Sequence, residues 1–471
     1  MIATLPASAR IHLLGISGTA MASLAGLLKE RGFRVTGSDN DCYPPMSTLL
    51  AELGIRVLSP YAPSNVPEDV DLVVVGNALS RGNPELEAVL SRRLAYVSMP
   101  EVLKELFLRD RTPVVVSGTH GKTTTSALAA WLLESAGRDP GFLIGGVPLN
   151  FQRSFRAGTG DSFVVEGDEY DTAFFDKGPK FLHYLPAVAI IGNVEFDHAD
   201  IYRDAGEVER AFRLLANLVP GNGVLVAGIE SERARLVAEG APCPVETFAV
   251  EGEADWRAEV LGSDAGGTRF RLRRRGVEIA EGSARIWGRA SLRNALAAVA
   301  AAHHLGCSGA EISRGLSTFS GVKRRLEVRG IAGEVTVVDD FAHHPTAIRE
   351  TLLAARDRFP GAKLHAVFEP RSFTSRSRVF QKEVAEALAL AEEVVLAQVF
   401  SSARLPSEQE LSEEELVSDL EAAGVEAAFV PRVEDIVARV AGRARPGDIV
   451  LVMSNGSFGG IHQKLLDALG G

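Results

Sequence analysis

The stretch that decides the fold reads Val-Val-Val-Ser-Gly-Thr-His-Gly-Lys-Thr-Thr-Thr and occupies residues 114 to 125. It begins with an apolar, β-branched run and continues through two glycines into a sequence with helical periodicity. In loops of this kind, glycines turn the backbone so that its N–H groups and the helix N-terminus face phosphate oxygens. The stretch therefore predicts a buried strand, a phosphate-binding loop and a helix.

The polar residues of this loop suit a nucleoside triphosphate. Lys122 is expected to bridge the β and γ phosphates of ATP, and the Thr123 hydroxyl is expected to hold Mg²⁺. Gly118 and Gly121 supply the turn. The loop is a contracted variant, because Val116 stands where the standard pattern has its first glycine. A glycine turn that caps a helix beside an incidental lysine is the alternative.

Two other polar loops follow predicted strands and offer metal ligands. Glu166 ends an apolar run, where a carboxylate suits the metal that Thr123 holds. His198 follows a third strand and could coordinate a second metal, with Asp197 orienting its ring; a purely structural histidine is the alternative. The acidic residues after Glu166 are predicted to organise the loop or to lie in solvent: Asp168, Glu169 and Asp171.

The chain length predicts several domains. At 471 residues, the usual domain sizes give about three units. Apolar runs alternate with amphipathic helical stretches, which is typical of α/β units with mostly parallel sheets. The predicted units are 1–108, 109–325 and 326–471. A long alanine-rich helix is predicted near 293–305, and strands near 10–16, 33–37, 71–76, 113–117, 162–166, 187–192, 335–339, 363–368, 393–397 and 448–453.

Composition narrows the class of protein. The net charge of −11 disfavours broad electrostatic binding to nucleic acid or to an anionic membrane. Cys42, Cys243 and Cys307 lie far apart, so they suggest neither a disulfide framework nor a zinc site. The first ten residues lack the features of a secretory signal, and no apolar stretch is long enough to span a bilayer. A cytoplasmic protein is therefore expected.

These motifs together resemble the Mur ligase family, the bacterial enzymes that build the peptide of peptidoglycan precursors. The resemblance rests on the loop at 118–124, on Glu166 and on Asn-Val-Glu-Phe-Asp-His at 193–198, and it extends over nearly the whole chain. It implies a Rossmann-like N-terminal domain for a UDP-sugar, a P-loop central ATPase domain, and a Rossmann-like C-terminal domain for the incoming peptide. The implied activity is ATP- and Mg²⁺-dependent amide bond formation through an acyl phosphate.

Four stretches narrow the resemblance to family members whose amine substrate is a peptide: 37–50, 76–84, 339–348 and 453–466. The implied substrates are UDP-N-acetylmuramate and the murein tripeptide L-alanyl-γ-D-glutamyl-meso-diaminopimelate, in peptidoglycan recycling. The alternatives are members that add L-alanine, a folylpolyglutamate-type ligase, and, outside the class, a non-catalytic sensor of ATP or UDP-sugar. The motif residues that occur together favour an enzyme: Lys122, Thr123, Glu166 and His198.

The resemblance implies a UDP-sugar site near the start of the chain. Its residues would be Gly15, Ser17, Gly18, Thr19, Ala20, Met21, Asp39 and Ser80. Without the family, the glycine turn after the first strand predicts a Rossmann dinucleotide site, with Asp39 on a ribose hydroxyl. Ser17 stands where the second glycine of that pattern belongs, which weakens the dinucleotide interpretation.

The resemblance also implies the residues around ATP. The ATP site would comprise Gly118, Thr119, His120, Gly121, Lys122, Thr123, Thr124, Asn294, Arg325 and Asp340, with Arg324 as the competitor of Arg325. The metal ligands would be Thr123, Glu166 and His198. The catalytic residues would be Lys122, Glu166, His198, His343 and His344. The base that deprotonates the amine is left open among His343, His344 and Asp340, and one of the histidines is expected only to start a helix at Pro345.

The peptide contacts implied for the third unit are Arg371, Arg376, Ser454 and Asn455. Guanidinium groups suit the carboxylates of a peptide, although solvent exposure is the alternative for Arg376. Because the three substrates would lie on three domains, closure of the C-terminal domain over the site is predicted.

Two departures from the family pattern concern the nucleotide and the metals. The segment 288–294 retains only the first glycine and the final asparagine of the adenine-binding motif, so Ser291 stands where an amide would contact adenine. No lysine occurs between Lys180 and Lys323, so the carbamylated lysine that bridges two magnesium ions in several relatives has no counterpart.

Overall fold

The computed structural model describes residues 2, 5–6, 8–197, 201–399 and 409–471. Most of its strands lie in three sheets that follow one another along the chain, and each sheet falls within one predicted unit. The prediction of an α/β protein with mostly parallel strands is confirmed. The domain boundaries at 108 and 325 stay predictions.

The first sheet carries the N-terminal glycine turn. Its part of the chain forms β1 (Arg10–Leu14), α1 (Thr19–Glu30), β2 (Arg34–Ser38), α2 (Met46–Glu52), β3 (Val57–Leu58), β4 (Leu72–Val75), α3 (Pro84–Ser91), β5 (Tyr96–Ser98) and α4 (Met99–Leu103). The described strands are parallel, in the order β3-β2-β1-β4-β5. The chain moves outward in opposite directions from β1, which opens a cleft at the carboxyl ends of β1 and β4.

The second sheet carries the phosphate loop. Its part of the chain forms β6 (Thr112–Ser117), α5 (Lys122–Ser135), β7 (Gly141–Leu143), β8 (Phe155–Arg156), β9 (Ser162–Glu166), β10 (Asp171–Ala173), β11 (Asp176–Pro179), β12 (Val188–Ile191), α6 (Ala205–Ala216), β13 (Val224–Gly228), α7 (Glu232–Glu239), β14 (Val245–Ala249), β15 (Trp256–Asp264), β16 (Gly267–Arg274), β17 (Val277–Ala284), α8 (Gly288–His304) and α9 (Gly309–Thr318). The described strands follow the order β17-β16-β15-β14-β13-β12-β6-β9-β7-β8, and β10 and β11 form a separate hairpin.

The antiparallel extension β15–β17 was not predicted from the sequence. Its strands pair antiparallel beyond the parallel β14. Their outer faces carry charged residues such as Arg271, which pairs with Glu259 and Glu281 across the strands. Because only one face is buried, these strands lack the continuous apolar run that reveals a central parallel strand.

The third sheet is formed by the last part of the chain. Its part forms β18 (Glu327–Ala332), β19 (Val335–Asp340), α10 (Pro345–Arg358), β20 (Leu364–Phe368), α11 (Phe373–Arg376), α12 (Gln381–Leu388), β21 (Glu393–Leu396), α13 (Glu413–Ala422), β22 (Glu426–Phe429), α14 (Val433–Arg443), β23 (Ile449–Met453) and α15 (Ile461–Gly470). The described strands follow the order β18-β19-β23-β20-β21-β22, and β18 alone of these runs antiparallel. The carboxyl ends of β19, β20 and β23 therefore lie at one edge.

The first and second units share one apolar core. Helix α1 of the first unit packs on β8 of the second, and buried residues of both units form a single cluster. Gly26 makes this contact possible, because a Cβ atom there would lie 2.0 Å from the Phe155 ring. Within the described residues, no helix has both the length and the apolar character that crossing a membrane requires.

We predict that Gly26→Ala destabilises the protein by about 1–3 kcal/mol, because the added methyl group cannot fit against Phe155. Urea unfolding measures this change. The matched control is Gly442→Ala in α14, where a Cβ atom meets nothing within 4 Å. Helix propensity alone favours alanine at both positions by up to about 1 kcal/mol. Similar stabilisation in both variants would contradict the close approach of α1 and β8.

Candidate functional site

The phosphate loop connects β6 to α5 and has the backbone that the sequence predicts. Gly118 and Gly121 adopt φ values of +137° and +83°. A Cβ atom on Gly118 would lie 3.1 Å from main-chain atoms of Gly192 and Asn193, and one on Gly121 would lie 2.3 Å from Asn294 Oδ1. Glycine is therefore required at both positions by conformation and by space.

Lys122, at the first position of α5, is held by acidic residues. Its ammonium group donates to both carboxylate oxygens of Glu169, at 2.7 and 3.0 Å, and to the carbonyl of Gly118 at 2.9 Å. Burial works against the charge, but the attraction of Glu169 and Asp168 outweighs it and raises the pKa of Lys122. Glu169 was predicted to organise its loop or lie in solvent; its side chain is buried and pairs with the loop lysine.

Thr123 and Glu166, both predicted as metal ligands, lie side by side. The Thr123 hydroxyl donates to Glu166 Oε1 at 3.0 Å, and the N–H group of Gly145 donates to Glu166 Oε2 at 2.7 Å. Burial raises the pKa of Glu166. A hydroxyl and a buried carboxylate side by side are the hard oxygen ligands that Mg²⁺ prefers, and a bound cation would offset the cost of burying the charge. The two residues therefore fit Mg²⁺.

The motif at residues 193–198 contacts the phosphate loop, although its His198 lies outside the described residues. The side chain of Asn193 accepts from the His120 N–H group at 2.8 Å and donates to the His120 carbonyl at 3.2 Å. The carboxylate of Asp197 is buried and accepts from the Thr374 hydroxyl at 2.5 Å. The motif thus braces the phosphate loop and also contacts the third unit, a role that its sequence did not indicate.

A cavity of about 760 Å³ extends from the phosphate loop to the third unit. Residues of the predicted ATP site line it, together with Ser291: His120, Gly121, Thr124, Asn294, Arg325 and Asp340. Three ion-paired residues also line it: Arg293 contacts Glu350 of α10 at 3.1 Å and lies 3.7 Å from Glu230. These three residues could not be predicted from the sequence, because they come from the loop after β13, from α8 and from α10 and meet only in the folded protein.

The structure distinguishes Arg325 from Arg324. Arg325 lies with its guanidinium 3.4 Å from the Thr123 hydroxyl, at the phosphate loop. Arg324 points away and donates to the carbonyls of Ser454 and Gly456 at 2.5 and 2.9 Å. Of the two candidates, only Arg325 is placed to reach nucleotide phosphates.

Asp340 lines the cavity but is already engaged. Its carboxylate accepts from the N–H groups of Leu326 and Ala342 at 2.7 and 2.8 Å, and from the Thr351 hydroxyl at 3.1 Å. Burial raises its pKa. Asp340 therefore fixes the segment that joins the second and third units, in addition to any contact with a nucleotide ribose.

His343 and His344 lie where the third unit meets the phosphate loop. His344 caps the N-terminus of α10, with its Nδ1 accepting from Thr346 at 3.3 Å, and its ring centroid lies 4.5 Å from that of His120. His343 donates from Nδ1 to the Phe341 carbonyl at 3.0 Å. Burial lowers the pKa of each histidine to about 4, so both are neutral near pH 7.

Apart from Asp39 and Ser80, the predicted UDP-sugar residues lie in the turn between β1 and α1 and at the start of α1 (Thr19–Glu30). Asp39 accepts from the N–H group of Ser17 at 2.9 Å and from the Tyr61 hydroxyl at 3.0 Å. Tyr61 and Glu85 were not predicted from the sequence. Glu85 is fully buried and accepts from Ala62 at 3.0 Å, which holds the loop carrying Tyr61. Asp39 thus shapes the glycine turn, and its contact with a ribose stays a prediction.

The predicted peptide contacts meet at the carboxyl ends of β20 and β23. The Ser454 hydroxyl donates to Glu369 at 2.5 Å, and Arg371 packs so closely on Gly456 that a Cβ atom there would lie 2.4 Å from it. Arg376 is only 3% exposed, which excludes the solvent-exposed alternative. Asn455 Oδ1 is buried without a hydrogen-bond partner among the described residues.

Fold and site together define an α/β protein of three units whose phosphate loop is of the kind that binds nucleoside triphosphates. The family models that match are the Mur ligase family catalytic domain at 10–111, the Mur ligase middle domain at 116–302, and the Mur ligase glutamate ligase domain at 324–456. The chain belongs to the Mur ligase family, a family of ATP-dependent ligases.

The chain is 44% identical over 463 residues to the UDP-N-acetylmuramate–L-alanyl-γ-D-glutamyl-meso-2,6-diaminoheptandioate ligase of Escherichia coli K12, covering 98% of both chains. It is 34% identical to the UDP-N-acetylmuramate–L-alanine ligase of Salinibacter ruber, covering 99% of this chain and 97% of that protein. The crystal structure of a murein peptide ligase from Psychrobacter arcticus superposes with a TM-score of 0.74 and 37% identity, covering 98% and 99% of the two chains.

We predict that His343→Gln weakens the acid dependence of stability. As the pH falls from about 6.5 towards 4, the unfolded chain binds a proton at His343 before the folded protein does, so the free energy of unfolding decreases. As the pH falls to about 4, the free energy of unfolding of the variant should decrease by up to about 3 kcal/mol less than that of the parent protein. Urea unfolding at pH 7 and pH 4.5 tests this, with the exposed His304→Gln as control. An unchanged pH dependence in His343→Gln would show that His343 is not buried in its neutral form.

Proposed function

We propose that this protein joins UDP-N-acetylmuramate to L-alanyl-γ-D-glutamyl-meso-diaminopimelate, with ATP and Mg²⁺ as cofactors, in peptidoglycan recycling. The observation that carries the choice of amine is the 44% identity, over 98% of both chains, to the E. coli ligase of that specificity. The L-alanine ligase of S. ruber is more distant, at 34%. We also propose a cytoplasmic location, where ATP and sugar nucleotides are available.

The arrangement around the phosphate loop supports acyl phosphate formation. A carboxylate that attacks the γ-phosphate brings like charges together, so the site must supply positive charge and fixed geometry. Lys122 and Arg325 supply fixed cations beside the Thr123 hydroxyl. Thr123 and Glu166 would hold Mg²⁺, which shields the phosphate oxygens when bound. His198 is proposed as a ligand of a second ion.

The three sheets suggest where each substrate binds. We assign the UDP-sugar to the turn after β1 in unit 1–108, ATP to the cavity of unit 109–325, and the peptide to the β20–β23 edge of unit 326–471. Arg371 and Arg376 would bind peptide carboxylates, with Ser454 and Asn455 beside them. The part of the cavity that Ser291 lines would bind the adenine of ATP.

The low pKa values of His343 and His344 bear on which group could deprotonate the amine. A group with a pKa of about 4 is neutral near pH 7 but is too weak a base to deprotonate an ammonium group efficiently. Asp340 is occupied by three hydrogen bonds. We therefore assign His343 and His344 to hydrogen bonding and positioning at the reacting groups, and we expect the peptide amine to enter deprotonated.

The choice of amine is tested by ADP release in the presence of UDP-N-acetylmuramate. We expect faster turnover with the tripeptide than with L-alanine at equal concentrations. Faster turnover with L-alanine would replace the proposed function by that of the L-alanine ligases. Absence of ADP release with either amine, from protein that binds ATP, would instead support a non-catalytic sensor.

We predict that Lys122→Ala lowers kcat by at least about 100-fold, because a fixed cation beside the transferred phosphoryl group is lost. The matched control is Lys177→Ala in the β10–β11 hairpin, whose ammonium group is exposed and pairs with Asp171. Circular dichroism of both variants checks that they fold. Full amide synthesis by Lys122→Ala would contradict the assigned chemistry.

A further inference from the structure

A cluster of two histidines and a glutamate bridges the phosphate loop and the third unit. One ring nitrogen each of His120 and His344, and one carboxylate oxygen of Glu195, lie within 4.8 Å of one another. His120 belongs to the phosphate loop, Glu195 follows β12, and His344 is the N-cap residue of α10. The cluster is separate from the Thr123 and Glu166 pair.

The cluster contains buried nitrogen atoms that have no hydrogen-bond partner among the described residues. His344 is 5% exposed, and its Nε2 has no hydrogen-bond partner among the described residues. His120 Nε2 is likewise buried, and it lies 3.3 Å from Glu195 Oε2 without the alignment of a hydrogen bond. Buried polar atoms left in this condition cost stability, so a ligand that they can share is expected.

The donor set has a definite chemistry. Two imidazoles and one carboxylate form the three-ligand set found in zinc sites that keep a fourth position for water or substrate. Imidazole favours zinc and its neighbours in the first transition series, whereas Mg²⁺ prefers oxygen ligands. We propose that His120, Glu195 and His344 form a site for a transition-metal ion of the zinc type, which clamps the phosphate loop to the third unit.

The geometry needs only a small contraction. Ligand bonds of about 2.0–2.2 Å place tetrahedral donors about 3.3 Å apart, against the present limit of 4.8 Å. Glu195 is already oriented, because its Oε2 accepts from the Thr346 hydroxyl at 2.7 Å. Binding would require the imidazole rings to rotate, which would give up the 3.3 Å contact between His344 Nδ1 and the Thr346 N–H group.

The position of the site gives the ion a functional effect. His120 and Glu195 line the cavity proposed for ATP, and His344 belongs to the unit that must separate from it to release product. An ion bound to all three side chains holds the third unit against the phosphate loop. Micromolar Zn²⁺ should therefore inhibit turnover in the presence of saturating Mg²⁺.

Titration of the full-length protein with Co²⁺ tests the site directly. Millimolar Mg²⁺ is present to occupy the oxygen ligands, and the visible absorption of nitrogen-ligated Co²⁺ is followed. We expect one equivalent to bind, Zn²⁺ to displace it, and His344→Gln and Glu195→Gln each to weaken binding by more than about tenfold.

His304→Gln, at the exposed end of α8, is the control and should bind Co²⁺ like the parent protein. Circular dichroism checks that each variant folds, and two different ligand variants keep the test valid if one does not. Absence of the nitrogen-ligated spectrum in the parent protein, or equal affinity in the parent and both ligand variants, would overturn the proposal. Neither result bears on the ligase activity, because no substrate is present in the titration.

Discussion

The site depends on keeping the buried ammonium group of Lys122 paired. An isolated charge at this depth would cost several kcal/mol, and Glu169, assisted by Asp168, removes that cost before any nucleotide is bound. Triphosphate oxygens can then exchange with carboxylate oxygens as partners of the same cation. The phosphate loop can therefore hold its shape in the free protein, with Asn193 and the two glycines fixing its backbone.

Different kinds of contact join the three units. The first and second units share a continuous apolar core, in which Phe155 packs on α1. The second and third units meet through polar pairs, such as Glu195 with Thr346 and Asp197 with Thr374, and through ring contacts such as that of Phe196 with Phe380. Polar interfaces separate at lower cost than apolar ones, so the third unit is the natural moving part.

Much of this architecture could be predicted because central parallel strands leave a clear signal. The predicted strand 162–166 matches β9 (Ser162–Glu166) fully, and the others differ from the structure by one or two residues at their ends. The phosphate loop was recognisable because glycine, lysine and threonine are each required at a fixed place between β6 and α5. Strands β15–β17 were missed because their exposed charged faces, as at Arg271, resemble a polar loop in sequence.

The parts of the site that could not be predicted depend on contacts between distant segments. Nothing in the sequence around Glu169 shows that its carboxylate meets Lys122, and Glu85 gave no sign of holding the loop of Tyr61. The contact of Asp340 with the ribose stays a prediction. The hydrogen bond that its carboxylate accepts from the main chain could not be predicted, because the path of that segment is set by tertiary structure. Sequence patterns identify which groups are available, whereas packing decides which of them meet.

The absence of a side chain at Gly26 has a consequence for how ligands bind. Because α1 is seated directly on the second sheet, the glycine turn after β1 and the phosphate loop after β6 belong to one rigid body. Ligands on these two loops meet a preformed surface, whatever the orientation of the third unit. Under the proposed assignment of substrates, binding at these two loops does not require motion of the third unit, and the reactant on that unit is expected to engage last.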